Sequence, residues 1–593
     1  MQHNLDDLAK CNDYPSDEAI SEVKGLLSKP WKRLEETNAE INRLEVLLKK
    51  LKQTRTGIEG SMNRYSSILA PIRRVPEDIL QMIFIHCLPT HRNPTMGASN
   101  PPMLLTRICR RWRSIAFSLP ILWARIHIPF RIVGDIHPQH PGYLIVPAHT
   151  VSTVLQHRCQ AVADWLTRSG DCPLSISITC LKDYHHDCDF QPETSILLLK
   201  IVAKYAPRWA FMQLKIPLET YRELETILSS CQLPMLVRLR ADISDEASDV
   251  YWRPSLGLLE SRNLQFVSLR LPYSWGARLQ VLAQRLQLHQ NITYLSIPMP
   301  CPVDDVIRLL RSCPRINYLR LSLERYELQH KNLQVVLLPC LRYLMIEDDF
   351  AVSQNRENIY SFLICPQLQW IDWRNPSIIG QFSFDDPPGS SILSLVERVV
   401  TLNRLAFTRQ HLSPSQVHRL LDMVPVSFIT KLILRSVLGN WEDVDTFDLG
   451  ILIGHHKSET TATVTDKILL PRLEHFELYQ TRVPDDTVLQ FVLSRTGTIP
   501  SISILKYVKI VFSRMKIPGH VDVEDHVRMH LAQTSIKKIH LELNYLLPLY
   551  GTDSEIVDPL SPNFIGDQTH NLNFNTGDKT WTLEEMDDEI DIP

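Results

Sequence analysis

The feature that most constrains this chain is a short apolar pattern, L-x-x-L-x-L, that recurs from residue 209 onward. Seven copies start 24 to 28 residues apart between residues 209 and 368, and five more follow at less regular spacings of 27 to 44 residues. Helical patterns separate them, over residues 221–228, 279–288, 303–310, 417–423 and 488–493. Such strand-plus-helix units bury their apolar faces only against their neighbours, so the sequence predicts an α/β solenoid with a parallel sheet on the concave side and helices on the convex side. The copies begin at Trp209, Leu236, Leu264, Ile292, Ile316, Leu341, Leu368, Leu402, Ile429, Leu473, Leu505 and Ile536.

The residue just before the second apolar position is aromatic in six of the first seven copies. Because strand side chains alternate, we expect these rings on the concave surface of the sheet. A row of exposed aromatic rings is typical of a recognition surface, whereas rings on adjacent strands can also simply stabilise the sheet. Both interpretations stay open. Under the first, the target-binding residues are Phe266, Tyr294, Tyr318, Arg320, Tyr343, Trp370 and Asp372.

Residues 16–68 carry apolar side chains at heptad spacing. The frame starts with Ile20, Val23 and Leu27, and from Leu34 to Ile72 only Thr37 and Arg55 interrupt it. This spacing predicts a long helix that either forms a coiled-coil homodimer or packs back on its own chain. Bends or weak points are expected at Pro30, Gly57 and Gly60.

Residues 69–130 predict three short helices. Pro76, Glu77 and Asp78 are ordered as in a first helical turn, with acids at the positive end of the helix dipole. A second helical pattern runs from Leu104 to Ala116, after a loop over residues 89–102. Such a small bundle cannot bury all its apolar side chains, so a partner should reach some of Ile79, Leu80, Phe84, Trp112 and Trp123.

This segment resembles an F-box. The pattern of Pro, acid, Ile/Leu and Phe is matched from Pro76 to Phe84, Cys-x-x-Trp by Cys109 and Trp112, and Leu-Trp by Leu122 and Trp123, although Val75 stands where leucine is usual. Together with the heptad arm and the repeats, it is similar to the leucine-rich F-box proteins of mushroom-forming fungi. The resemblance implies binding to a Skp-type adaptor, which bridges to a cullin. The implied adaptor-binding residues are Pro76, Ile79, Leu80, Ile83, Phe84, Leu105, Cys109, Trp112, Leu122 and Trp123.

Composition excludes several other functions. A net charge of -3 over 593 residues gives no reason to expect nucleic acid or a membrane as partner. The 12 cysteines include no Cys-x-x-Cys pair, which favours a reducing, cytoplasmic or nuclear compartment. Asp183, His185, His186, Asp187, Cys188 and Asp189 lack a second ligand cluster, so we interpret them as a solvated loop. No catalytic or phosphate-cradling motif is present, and we expect neither an enzyme nor a cofactor.

The sequence therefore predicts five segments: a heptad helix (16–68), an F-box (69–130), a connecting segment (131–171), a solenoid (172–546) and a flexible acidic tail (547–593). The expected function is that of a ubiquitin-ligase substrate receptor, whose F-box binds the adaptor while its solenoid binds an unknown protein target. The alternative is a non-catalytic scaffold that self-associates through the heptad helix.

Overall fold

The computed structural model describes residues 14–132, 148–182, 192–229, 231–244, 257–271, 290–323, 335–348, 359–374, 390–409, 414–435, 447–453, 469–497, 501–514, 516, 522–533 and 539–545. The chain divides into two compact units, Met1–Ile83 and Phe84–Pro593. The candidate metal loop (183–189), the helical pattern over 279–288 and the acidic tail (547–593) lie outside the described residues.

The first unit contains one long helix, α1 (Asp17–Leu69), of 53 residues. Ser16 caps it, since its Oγ accepts a hydrogen bond from the backbone N–H of Ala19 at 3.3 Å. The helix runs on through Pro30, Gly57 and Gly60, where the sequence predicts bends. Its heptad residues are exposed; Leu44 is 51% exposed, Leu48 52% and Leu51 58%. A short 3-10 helix, Pro71–Arg74, follows.

Short helices occupy the next part of the chain. They are α2 (Glu77–His86), α3 (Leu105–Ile108), α4 (Arg110–Ser118) and a 3-10 turn, Pro120–Trp123. Helix α2 begins directly after Pro76, as predicted, and the boundary between the two units falls inside it. The single helix expected from Leu104 to Ala116 is instead broken at Cys109, whose backbone is extended (φ -157°, ψ 170°). The Cys109 Sγ accepts a hydrogen bond from the backbone N–H of Trp112 at 3.4 Å and so caps α4.

One parallel sheet of fourteen strands dominates the second unit. Twelve of its strands are the twelve predicted segments, in chain order. Two further strands, β1 and β2, precede them, so the sheet begins at Arg125, earlier than the boundary expected at residue 172. The strands are β1 (Arg125–Ile132), β2 (Leu174–Lys182), β3 (Trp209–Pro217), β4 (Arg238–Ser244), β5 (Phe266–Arg270), β6 (Tyr294–Cys301), β7 (Tyr318–Leu323), β9 (Tyr343–Asp348), β11 (Trp370–Arg374), β12 (Arg404–Thr408), β13 (Lys431–Arg435), β14 (His475–Thr481), β15 (Tyr507–Phe512) and β16 (His540–Asn544). A separate pair consists of β8 (Val336–Leu337) and β10 (Leu363–Ile364).

Helices connect many of the strands, and neighbouring helices pack on one another. Those at 218–228, 303–312, 414–422 and 485–494 confirm four of the predicted helical patterns. The helices are α5 (Ala148–Arg168), α6 (Pro192–Ala203), α7 (Leu218–Leu228), α8 (Val303–Ser312), α9 (Ile359–Phe362), α10 (Ser390–Arg398), α11 (Pro414–Asp422), α12 (Asp485–Ser494) and α13 (Val523–Gln533).

The core of this unit is built from the repeated apolar positions. Leu264, Val267 and Leu269 of one repeat are at most 2% exposed, and the corresponding residues of the next repeat, Ile292, Leu295 and Ile297, are fully buried. Each strand thus places alternate side chains in the core and the others on the opposite face of the sheet, here called the front face.

A buried arginine ties together the backbone near β14. Arg495, which is fully buried, donates hydrogen bonds to three main-chain carbonyl oxygens: from Nη1 to Leu470 at 2.9 Å, from Nη2 to Leu469 at 2.8 Å and from Nη2 to Leu452 at 3.0 Å. Leu470 adopts the left-handed conformation (φ 53°). Burial lowers the pKa of Arg495 to about 10, so it stays charged at neutral pH. The guanidinium therefore supplies donors to the Leu452 and Leu469 carbonyls, and a second donor to the Leu470 carbonyl, which also accepts from the backbone N–H of Leu473.

We expect Arg495→Met to lower the free energy of unfolding by about 3 kcal/mol, because it removes the buried guanidinium hydrogen bonds to the carbonyls of Leu452, Leu469 and Leu470. Chemical denaturation measures the change. Arg528→Met is the matched control, since Arg528 pairs with Asp525 on an exposed surface, and it should change stability by less than about 0.5 kcal/mol. If the two substitutions lowered the free energy of unfolding equally, the stabilising role of the Arg495 hydrogen bonds would be contradicted.

Candidate interaction surfaces

Helix α2 separates its apolar residues onto two faces. Leu80 and Phe84 are fully buried and Leu88 is 8% exposed, whereas Ile79, Met82 and Ile83 are exposed by 48%, 54% and 38%. The expectation that a partner can reach some of the apolar side chains of residues 69–130 therefore fits Ile79 and not Leu80 or Phe84. The exposed residues form an apolar strip on one side of a short helix.

Helices α3 and α4 show a second exposed apolar set. Leu104, Ile108, Phe117 and Ile121 are 39% to 52% exposed, and Trp112 is half-buried. The Trp112 ring packs on Phe84 with the ring centroids 4.9 Å apart. The motif pattern alone does not single out these four residues; a helical projection of residues 104–121 could have found them.

Several residues assigned to adaptor binding lie in the core. Leu105, Leu122 and Trp123 are at most 3% exposed, while Pro76 and Cys109 are exposed. The Trp123 Nε1 donates a hydrogen bond to the Ala116 carbonyl at 2.8 Å, and its ring meets Trp165 of α5 edge-on, with the centroids 4.9 Å apart. Trp123 therefore connects α4 to α5. Because it is fully buried, it offers no surface to a partner.

The aromatic residues predicted to align do form one row across the front face. Strand register pairs Phe211, Arg238, Phe266, Tyr294, Tyr318, Tyr343 and Trp370 in succession. The row, here called row one, extends to Arg125 and Ser175 at one end, and at the other to Arg404, Lys431, His475, Tyr507 and His540.

The rings of row one stack on each other. Ring centroids are 3.8 Å apart between Phe266 and Tyr294 and 4.2 Å between Tyr294 and Tyr318, in near-parallel stacks. Tyr318–Tyr343 and Tyr343–Trp370 continue the row at 6.3 and 6.0 Å. Tyr294, Tyr318 and Trp370 are only 8%, 6% and 3% exposed. The expectation of exposed rings is thus wrong for these three residues. They fit the alternative, a ladder of rings that stabilises the sheet. Phe266 and Tyr343 are partly buried.

The polar residues beside row one are joined in ion pairs. Arg320 Nη2 lies 2.6 Å from Glu347 Oε1. Asp372, 2% exposed, accepts hydrogen bonds from Arg435 at 2.7 Å and Arg374 at 2.9 Å. Burial acts to raise the pKa of Asp372, but the two arginines outweigh it and hold the pKa below its ordinary value. Both Asp372 oxygens accept hydrogen bonds from arginines of the sheet, so the carboxylate stabilises the sheet and is not available to a ligand.

A cavity of about 380 Å³ opens at the other end of the front face, over β1–β4. It was not predicted from the sequence, because part of its wall is Thr90–Asn93 in the loop over residues 89–102, which carries no helical or strand pattern. The lining residues are Thr90, His91, Arg92, Asn93, Arg125, Ser175, Ala210, Phe211, Gln213, Val237 and Arg238. None of these described residues is acidic.

The described residues contain no cluster of side chains suited to a metal ion, and none of their helices is both long and apolar enough to cross a bilayer. Nine of their cysteines are free thiols. Burial raises the pKa of Cys313 and of Cys365 to about 12, so these two behave as small apolar residues.

Together these features define the class of the protein: a leucine-rich-repeat-like parallel-sheet solenoid preceded by a long helix. No family model matches the chain, and no curated protein matches it. Among solved structures, the chain is similar to a chain of the crystal structure of a TLR13–ssRNA13 complex, at 12% identity and a TM-score of 0.23. That match covers 67% of this chain and 56% of the TLR13 chain.

We expect Asp372→Asn to lower the free energy of unfolding by about 2 to 3 kcal/mol at neutral pH, because two arginines lose their counter-charge. Since the folded-state pKa of Asp372 is depressed, its contribution is present above the unfolded pKa of about 3.9 and is lost as the pH falls through the folded pKa. Urea denaturation at successively lower pH should show the two proteins converging. Asp525→Asn, which removes an acid from an exposed ion pair, serves as control. If the stability difference between Asp372→Asn and the unchanged protein did not depend on pH, the Asp372 charge would not be its source.

Proposed function

We propose that this protein is the substrate receptor of a cullin-RING ubiquitin ligase, with the short N-terminal helices binding a Skp-type adaptor and the repeat sheet binding a protein target. The observation that carries the proposal is the division of α2 into a buried face and an exposed apolar face. A helix that only supported its own bundle would not need three large apolar residues in solvent.

The second apolar set supports the same proposal. Exposed apolar side chains on α3, α4 and the 3-10 turn after them add area that a helical partner can bury. In the described part of the chain, no cluster of side chains suited to a metal ion competes with a binding function. Catalysis would then come from the ligase partners, and this chain would contribute proximity between the target and the ubiquitin-loaded enzyme.

The target-binding part of the proposal concerns the front face. Row one offers Phe266 and Tyr343, half-exposed within an ordered ladder, and beyond Trp370 it continues as Arg404, Lys431 and His475. Rings held by their neighbours lose little side-chain entropy on binding, which suits a recognition surface. The mixed aromatic and basic row favours an extended protein segment as the ligand.

The adaptor proposal is tested by co-expression with a Skp-type adaptor and measurement of the complex by calorimetry. We expect Ile79→Asp combined with Ile83→Asp to weaken binding by at least about a hundredfold, because two charges enter an apolar contact. Both positions are exposed in the free chain, so its thermal unfolding should not change.

Asn42→Asp with Gln53→Asp is the matched control, since it adds two acids at exposed positions of α1, outside α2 and outside the heptad frame. The control should bind like the unchanged protein. A chain that folds but ignores the adaptor would refute the receptor function.

A second candidate function, a scaffold that self-associates without a ligase, is favoured by the exposed heptad stripe of α1. An isolated helix with such a stripe gains stability by pairing, and we propose a homodimer in either case. The adaptor measurement decides between the two functions.

We expect the protein to sediment as a dimer in analytical ultracentrifugation, and Leu44→Lys with Leu51→Lys to make it a monomer, because both lysines would enter the apolar seam. The control, Asn42→Lys with Gln53→Lys, adds the same charge at exposed positions outside the heptad frame and should leave the dimer intact. A monomeric unchanged protein would rule out the pairing of α1.

A further inference from the structure

The cavity over β1–β4 is built by interactions that fix its shape. Arg125 holds the wall loop, with Nη1 donating to the Pro89 carbonyl at 3.0 Å, Nη2 to the Arg92 carbonyl at 2.6 Å and Nε to Asn93 Oδ1 at 3.3 Å. Asn93, 6% exposed, connects the loop to β2, accepting from Ser175 Oγ at 2.9 Å and donating to Ser177 Oγ at 3.2 Å. The loop is therefore part of the sheet's front face and not a loose connection.

The charge around the cavity is positive. Arg92, Arg125 and Arg238 line it together with His91, and none of the described lining residues carries a carboxylate. Just beyond the lining, the pKa of His127 is lowered to about 4, mainly by burial and to a smaller extent by the charges of Arg92 and Arg158. A concave site with one sign of charge concentrates ligands of the opposite charge.

Arg238 is the donor best placed for a ligand. It is exposed, and its guanidinium makes no hydrogen bond or ion pair with another described residue. Strand register places it between Phe211 and Phe266, so it stands at the start of the aromatic ladder. A segment lying along row one would bring one of its side chains to this cavity.

We infer that this cavity binds a phosphorylated side chain of the protein target; the identity of the ligand as a target residue rests on the proposed function. A phosphoryl group carries close to two negative charges and presents oxygens that match the guanidinium fork. The cavity is large enough for one such side chain and its neighbours, and it lacks the extended basic groove that a nucleic-acid strand needs. The net charge of -3 also favours a protein ligand.

The test titrates the purified full chain with N-acetyl-phosphoserine N-methylamide, followed by phosphorus NMR. We expect saturable binding that is at least about tenfold tighter than that of the corresponding glutamate derivative, and no binding of the serine derivative. Arg238→Gln should weaken binding at least about tenfold. Arg262→Gln, which removes an exposed arginine outside the cavity, should bind as the unchanged protein does.

Three outcomes would overturn the inference: no saturable binding of the phosphoserine derivative, equal binding by Arg238→Gln and the unchanged protein, or Arg238-dependent binding of an oligouridylate that exceeds phosphoserine binding. Thermal unfolding of each variant checks that it is folded. Adaptor binding by Arg238→Gln is measured in parallel and should be unchanged. A chain that binds phosphoserine but not the adaptor would refute the receptor function and leave the cavity's chemistry standing.

Discussion

The in-register parallel pairing of fourteen strands is the constraint on which the rest of the structure depends. Because side chains alternate along each strand, this register puts Leu239, Val267 and Leu295 in the core and, one residue earlier, Arg238, Phe266 and Tyr294 on the front face. A slip of one residue in β4, for example, would turn Arg238 toward the core and Leu239 toward the front face. The row of rings, the ion pairs beside it and the cavity at its end all follow from that register.

The sequence predicts most of the repeat sheet because the apolar period is local and regular. All twelve predicted strands are present, and even the alignment of row one could be read from the pattern. The strands β1 and β2 were missed because they precede the regular period. Likewise, the sequence could not show that Tyr294 and Tyr318 cover each other: their stacking depends on the distance and tilt between strands, which no single repeat encodes.

The short helices illustrate a different limit. The motif residues show where the helices lie. The motif does not show which of these residues are buried in the core and which are exposed to a partner. Leu80 and Ile79 are neighbours in the same pattern, and only the first is buried. Cys109 shows the same ambiguity, since a residue expected on an apolar face instead ends one helix and caps the next. Tertiary packing decides which of these residues are buried and where each helix ends, and it depends on the whole sequence and not on one motif.

The connection between the short helices and the sheet bears on how a receptor would work. From Phe84 onward, the helices are not joined to the repeats by a free linker: the Trp123 ring packs on Trp165, whose Nε1 donates to the Arg125 carbonyl at 3.2 Å, and the Arg125 side chain holds the loop over residues 89–93. Proximity accelerates a reaction only if the geometry is held. A target bound on the front face would therefore keep a fixed position relative to α3 and α4, because the residues that wall the cavity also anchor those helices.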